Sequence, residues 1–123
     1  MEWFGEAVSG LDEAGLKKNL TMAALPDYCA SIDKVLEDHG DVGRIYCIWG
    51  TFEVLRQEIR GGVRFTLPHC PNAFTWAITT GFPPDPDKTV IHAVINRQTH
   101  EADFLETIEE FVADWAEGLS QSG

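Results

Sequence analysis

His69 and Cys70 stand side by side between Pro68 and Pro71, and a thiol beside an imidazole is the pairing in this chain best suited to nucleophilic or redox chemistry. An imidazole within reach lowers the thiol pKa and raises the fraction of thiolate. The spacing works against that use, because adjacent side chains in an extended segment point apart and a Pro-x-x-Pro bracket is ordinary turn chemistry. Cys70 and His69 are therefore the candidate catalytic residues, with a plain loop as the competing reading. Cys29 and Cys47 fall on apolar faces, where cysteine packs as a small hydrophobe. Zinc would need three or four converging donors, and His69, Cys70, His92 and His100 form the one set that could supply nitrogen and sulfur. Their spacing matches neither a zinc finger nor a His-Glu-x-x-His helix, so no metal and no cofactor is expected.

Two charged groups are candidates for recognition. Arg56, Arg60 and Arg64 recur every fourth residue. A three-residue connection at Arg60-Gly61-Gly62 pairs Ile59 with Val63, Gln57 with Phe65 and Leu55 with Leu67, and it puts the three arginines on the sheet face away from the helices. With Thr66 and Arg44 they could bind a carboxylate ligand, or the acidic helix of a second copy to make a homodimer. The C-terminal region carries Glu101, Asp103, Glu106, Glu109, Glu110, Asp114 and Glu117 with no Lys or Arg after Arg97. Glu106, Glu110 and Asp114 could steer a basic protein partner, and the competing reading is a solvated helix face. Trp3, Trp49, Trp76, Trp115 and seven phenylalanines could line an apolar pocket, though aromatic residues more often fill a core.

These residues must be held by regular elements. Ser9-Gly10-Leu11-Asp12 reads as the start of a first helix carrying Leu16 and Leu20. Pro26 suits the first turn of a second helix, with Tyr28, Cys29, Ile32, Val35 and Leu36 on one stripe and a stop at Gly40. Arg44 to Trp49, then Phe52 and Val54, are β-branched and aromatic and read as strands. The parity of Phe52 and Val54 differs from that of Leu55 and Ile59, which calls for a bulge near Val54-Leu55; a short helix over 52–60 is the alternative. Phe74, Trp76 and Ile78 alternate cleanly with Thr75, Ala77 and Thr79, and Thr89 to Ile95 is apolar on both parities, as in a central strand. A long amphipathic helix beginning near Thr99 or His100 closes the chain, with Phe104, Ile108, Phe111, Val112, Trp115 and Leu119 on one face.

The expected fold is α+β: an antiparallel sheet of about five strands with two N-terminal helices and the long C-terminal helix on one face, a two-layer sandwich within a single domain over residues 1–123. At this level the layout is similar to the secretion-chaperone-like folds and to helix-grip folds, and no residue roles are carried over from either. A net charge of −11 disfavours nucleic acid and anionic lipid surfaces. No basic segment followed by an apolar stretch reads as a secretory signal, no apolar run is long enough for a bilayer, and an odd number of unpaired cysteines suits a reducing cytoplasm. The first functional reading is an acidic, non-catalytic binding module, chaperone-like or regulatory, that engages a protein partner. The alternative is a small-molecule-binding protein or enzyme with a pocket between the sheet and the C-terminal helix and Cys70 and His69 at its rim.

Overall fold

The structure, a computed structural model, describes residues 1–70, 73–80, 88–96 and 102–122. The chain runs β1 (Glu2–Ala7), α1 (Glu13–Asn19), α2 (Leu25–Tyr28), β2 (Ile32–Asp38), β3 (Val42–Cys47), β4 (Gly50–Ile59), β5 (Gly62–Thr66), β6 (Thr75–Thr80), β7 (Thr89–Val94) and α3 (Ala102–Ser122). All neighbouring strands are antiparallel in one seven-stranded sheet of order β1-β7-β6-β5-β4-β3-β2. The antiparallel α+β design with a C-terminal helix is as expected, but the strands among the described residues number seven rather than about five.

The two extra strands come from segments whose pattern misleads. In β1, Trp3, Gly5 and Ala7 face the helices while Glu2, Phe4 and Glu6 face away, an alternation blurred by a phenylalanine outside and a glycine inside. The second N-terminal helix, expected to reach Gly40, is a single turn at Leu25–Tyr28, and β2 follows it. The pairing of β2 with β3 slips between Ile32 and Lys34 and again between Val35 and Glu37. Each bulge adds a residue to one strand. Ile32 and Val35, three positions apart, therefore both turn toward the core, and the strand imitates a helical stripe.

The segment 52–60 is strand, and the expected bulge at Val54-Leu55 is absent because pairing is continuous on both sides of β4. The hairpin register also differs: Glu58 faces Val63 and Arg56 faces Phe65 across a turn at Arg60-Gly61, where Gly61 takes φ +92°. The inward set of β4 is thus Phe52, Val54 and Arg56, one unbroken parity. It looks broken only if Arg56 is assumed to face water.

Leu16 and Leu20 of the α1 region, Leu25 of α2, and Ile108, Phe111, Trp115 and Leu119 of α3 are fully buried against the sheet's inner face. Full burial of such side chains stabilises by roughly 2 kcal/mol apiece, so α3 cannot leave the sheet without exposing the core. The middle of that core is aromatic: Phe65 stacks on Trp76 at 5.3 Å, and Phe111 meets Trp76 edge-on at 4.9 Å. The indole N–H groups of Trp76 and Trp115 are buried there with no acceptor among the described residues. Among the described residues no helix is long and apolar enough to cross a membrane.

Candidate functional site

The loop between β5 and β6 carries the His69-Cys70 pair. Its base is closed by Leu67 N–H to the Phe74 carbonyl at 3.0 Å, and Cys70 N–H donates to the Leu67 carbonyl at 3.1 Å. His69 is exposed, and its Nε2 lies 2.8 Å from Glu53 Oε2 on β4. Cys70 leans half-buried onto the core. No hydrogen bond among the described residues joins His69 to Cys70, so the imidazole is held by a carboxylate rather than by the thiol. The other two thiols are inert packing: burial pushes Cys29 up to about 12, and burial also raises Cys47, whose S–H donates to the Gly50 carbonyl at 3.3 Å.

The three arginines do not share a face. Arg56 points inward and is nearly buried, with Nε donating to the Leu20 carbonyl at 2.7 Å and Nη2 to the Lys17 carbonyl at 2.6 Å. It closes the C-terminal carbonyls of α1, which explains a cation on the core side of β4. Arg60 lies exposed in the hairpin turn, and Arg64 on the outer face is occupied by Gln57 Oε1 at 2.9 and 3.1 Å. On α3, Glu106 and Glu110 are exposed, while Asp114 accepts the Ser31 hydroxyl at 2.5 Å and ties the start of β2 to the helix. His92 pairs with Glu2 at 2.9 Å, far in the sheet order from the His69–Glu53 pair, and His100 lies outside the described residues. Among the described residues no group of three His, Cys, Asp or Glu side chains could hold a metal.

A concave site between sheet and helix lies instead at the β1 edge. Trp3 and Gly5 of β1, with Phe4 at the edge, and Glu109, Val112, Ala113 and Ala116 of α3 line a cleft of about 290 Å³. Its shape follows from small residues. A Cβ on Gly5 would come within 2.7 Å of Val112 Cγ1, so glycine lets strand and helix approach there. Ala113 and Ala116 then leave room beside the contact. Phe4 is 66 % exposed at the rim, its ring stacked on His92 at 4.4 Å. Among the described residues Glu109 is the one titratable side chain of the lining. Trp3 belonged to the aromatic set that the sequence offered for a pocket; Trp76 and Trp115, from the same set, fill the core. Gly5, Val112, Ala113 and Ala116 were missed, and the alternation of Glu2, Phe4 and Glu6 with Trp3, Gly5 and Ala7 was the signal available for β1.

No protein-family model matches the chain, and no curated protein matches it. Solved structures do resemble it. It is similar to the protein XoxI from Bacillus cereus, with 11 % identity, 99 % of this chain and 93 % of that one covered, and a TM-score of 0.65. An uncharacterised protein from Bacillus thuringiensis matches at 10 % identity over 99 % of this chain and 96 % of that one, TM-score 0.66. A START superfamily protein from Mycobacterium smegmatis matches at 12 % identity over 98 % and 94 %, TM-score 0.59. Identities this low establish a shared fold and nothing finer.

Proposed function

We propose that this chain is a small-molecule-binding protein whose ligand occupies the cleft between β1 and α3. The observation that carries the reading is a recess of about 290 Å³ between sheet and helix, walled by Trp3, Val112, Ala113 and Ala116 and bearing the single carboxylate of Glu109. Apolar walls with few polar groups are the usual composition of ligand sites, and the volume lies at the small end of their range. The ligand class that fits is compact and largely apolar, with one cationic or hydrogen-bond-donating group toward Glu109. A net charge of −11 further disfavours an anion.

This reading takes precedence over a protein-binding module. The exposed carboxylates of Glu106 and Glu110 form no arrangement beyond a solvated helix face, and Arg56 is unavailable to the basic sheet face on which a homodimer was to rest. Binding rather than turnover is assigned, since Cys70 and His69 do not line the cleft and, among the described residues, no second acid or base lines it with Glu109.

Titration with a neutral phenylnaphthylamine dye, followed by its emission and by energy transfer from tryptophan, tests the assignment. The native chain is expected to bind saturably. Ala113→Phe, which fills the recess from an exposed position, should weaken binding about tenfold or more, and Cys70→Ser should leave it unchanged. Equal binding by Ala113→Phe, or loss in Cys70→Ser, would remove the proposal.

A further inference from the structure

A second cleft, of about 260 Å³, lies on the far side of the molecule's sheet order, between the α1–α2 segment and the β2–β3 hairpin. Lys17, Thr21, Met22, Asp38, Asp41 and Arg56 line it. Its charges are layered. At the floor is the guanidinium of Arg56, whose side chain is 9 % exposed; at the mouth are Asp38 and Asp41, the latter with 79 % of its side chain exposed.

The floor cation is only partly used. Nε and Nη2 of Arg56 are committed to the Leu20 and Lys17 carbonyls, but among the described residues Nη1 makes no hydrogen bond. Its nearest acceptors, Asp41 Oδ1 at 3.7 Å and Glu58 Oε2 at 3.9 Å, are beyond hydrogen-bond reach. A fixed guanidinium that lines a cleft, its Nη1 held only by loose ion pairs to Asp41 and Glu58, can receive a carboxylate. Lys17 does not share that task, because its ammonium is 2.8 Å from Glu13 Oε2 and lowers that carboxyl's pKa. Asp38 keeps one oxygen on the Gly40 N–H at 2.9 Å, and among the described residues the Asp41 carboxylate has no partner closer than Arg56 Nη1.

A simple anion would have to pass the acidic mouth, and a simple cation would meet the guanidinium beneath it. A ligand carrying both charges a few bonds apart satisfies both layers. We propose that this cleft binds a small zwitterion of the amino-acid type, its carboxylate on Arg56 Nη1 and its ammonium between Asp38 and Asp41. Thr21 can add a hydroxyl hydrogen bond to the carboxylate, and the volume limits the ligand to a short side chain. The site is separate from the β1–α3 cleft and stands whether or not that cleft binds anything.

The test is a titration of the amide resonances of Thr21, Gly40 and Asp41 with glycine, L-alanine, acetate and methylammonium, each at matched ionic strength. Glycine or L-alanine should give saturable shifts below about 50 mM, with acetate and methylammonium several-fold weaker. Asp41→Asn, at an exposed position, should weaken the zwitterion response at least several-fold while the rest of the spectrum stays in place. Three results would overturn the proposal: no saturable shift with either amino acid, methylammonium or acetate matching them, or an unchanged response in Asp41→Asn.

Discussion

Cys29 is fully buried, and removing its thiolate from water is the cause of a pKa pushed from near 9 up to about 12. Above pH 9 the unfolded chain releases this proton while the folded chain keeps it. Stability is therefore undiminished by this group below about pH 9 and falls as pH rises toward about 12, by at most about 1.4 kcal/mol per unit. Urea midpoints followed from about pH 8 to about pH 10.5 should decline more steeply for the native chain than for Cys29→Ala; parallel declines would contradict this assignment. The packing role of Cys29 and Cys47 was legible, since both sit among apolar residues in the sequence. That of Arg56 was not. Its partners are carbonyls 36 and 39 positions earlier, and nothing in a run of arginines every fourth residue says that one of them must close a helix end. The pairing of His69 with Glu53, 16 positions away, was hidden for the same reason.

At the scale of elements, the seating of α3 on α2 depends on one missing side chain. A Cβ on Gly118 would lie 1.8 Å from the Tyr28 carbonyl oxygen, a backbone atom that cannot move aside without displacing α2. Helix propensity alone favours alanine over glycine by about 1 kcal/mol, so the sign of the substitution separates the two effects. Gly118→Ala should lower unfolding stability by roughly 2 kcal/mol or more in denaturant titration, and Glu117→Ala on the exposed face should change it by less than about 0.5 kcal/mol. A Gly118→Ala chain as stable as the native one would refute the close contact. Elements with undisturbed periodicity were legible: α3 through its apolar stripe, β6 through strict alternation, β7 through its apolar run. The failures were elements in which geometry alters the period. Two bulges turn β2 into a three-residue pattern, and Arg56 facing inward makes the continuous parity of β4 look interrupted.

Over the whole molecule, β1 pairs with β7, joining the first strand to the last and bringing it under the closing helix. Local pattern cannot reveal a pairing across some ninety positions, so a pocket between the sheet and the closing helix was legible while its β1 wall, Trp3 apart, was not. Because the cleft is shared between a sheet edge and α3, a ligand there bridges the two layers and should stabilise the fold as a whole by mass action. The proposed function stands or falls with that binding position. Methyl-group NMR of the chain titrated with the neutral phenylnaphthylamine dye tests it most directly, because aromatic ring currents shift only nearby methyls. The expected result is saturable shifts at Val112, Ala113 and Ala116, with the core methyls of Ile78 and of Ile45 in β3 unmoved. Shifts centred on the core methyls or on the loop around Cys70, with those three α3 methyls silent, would contradict it.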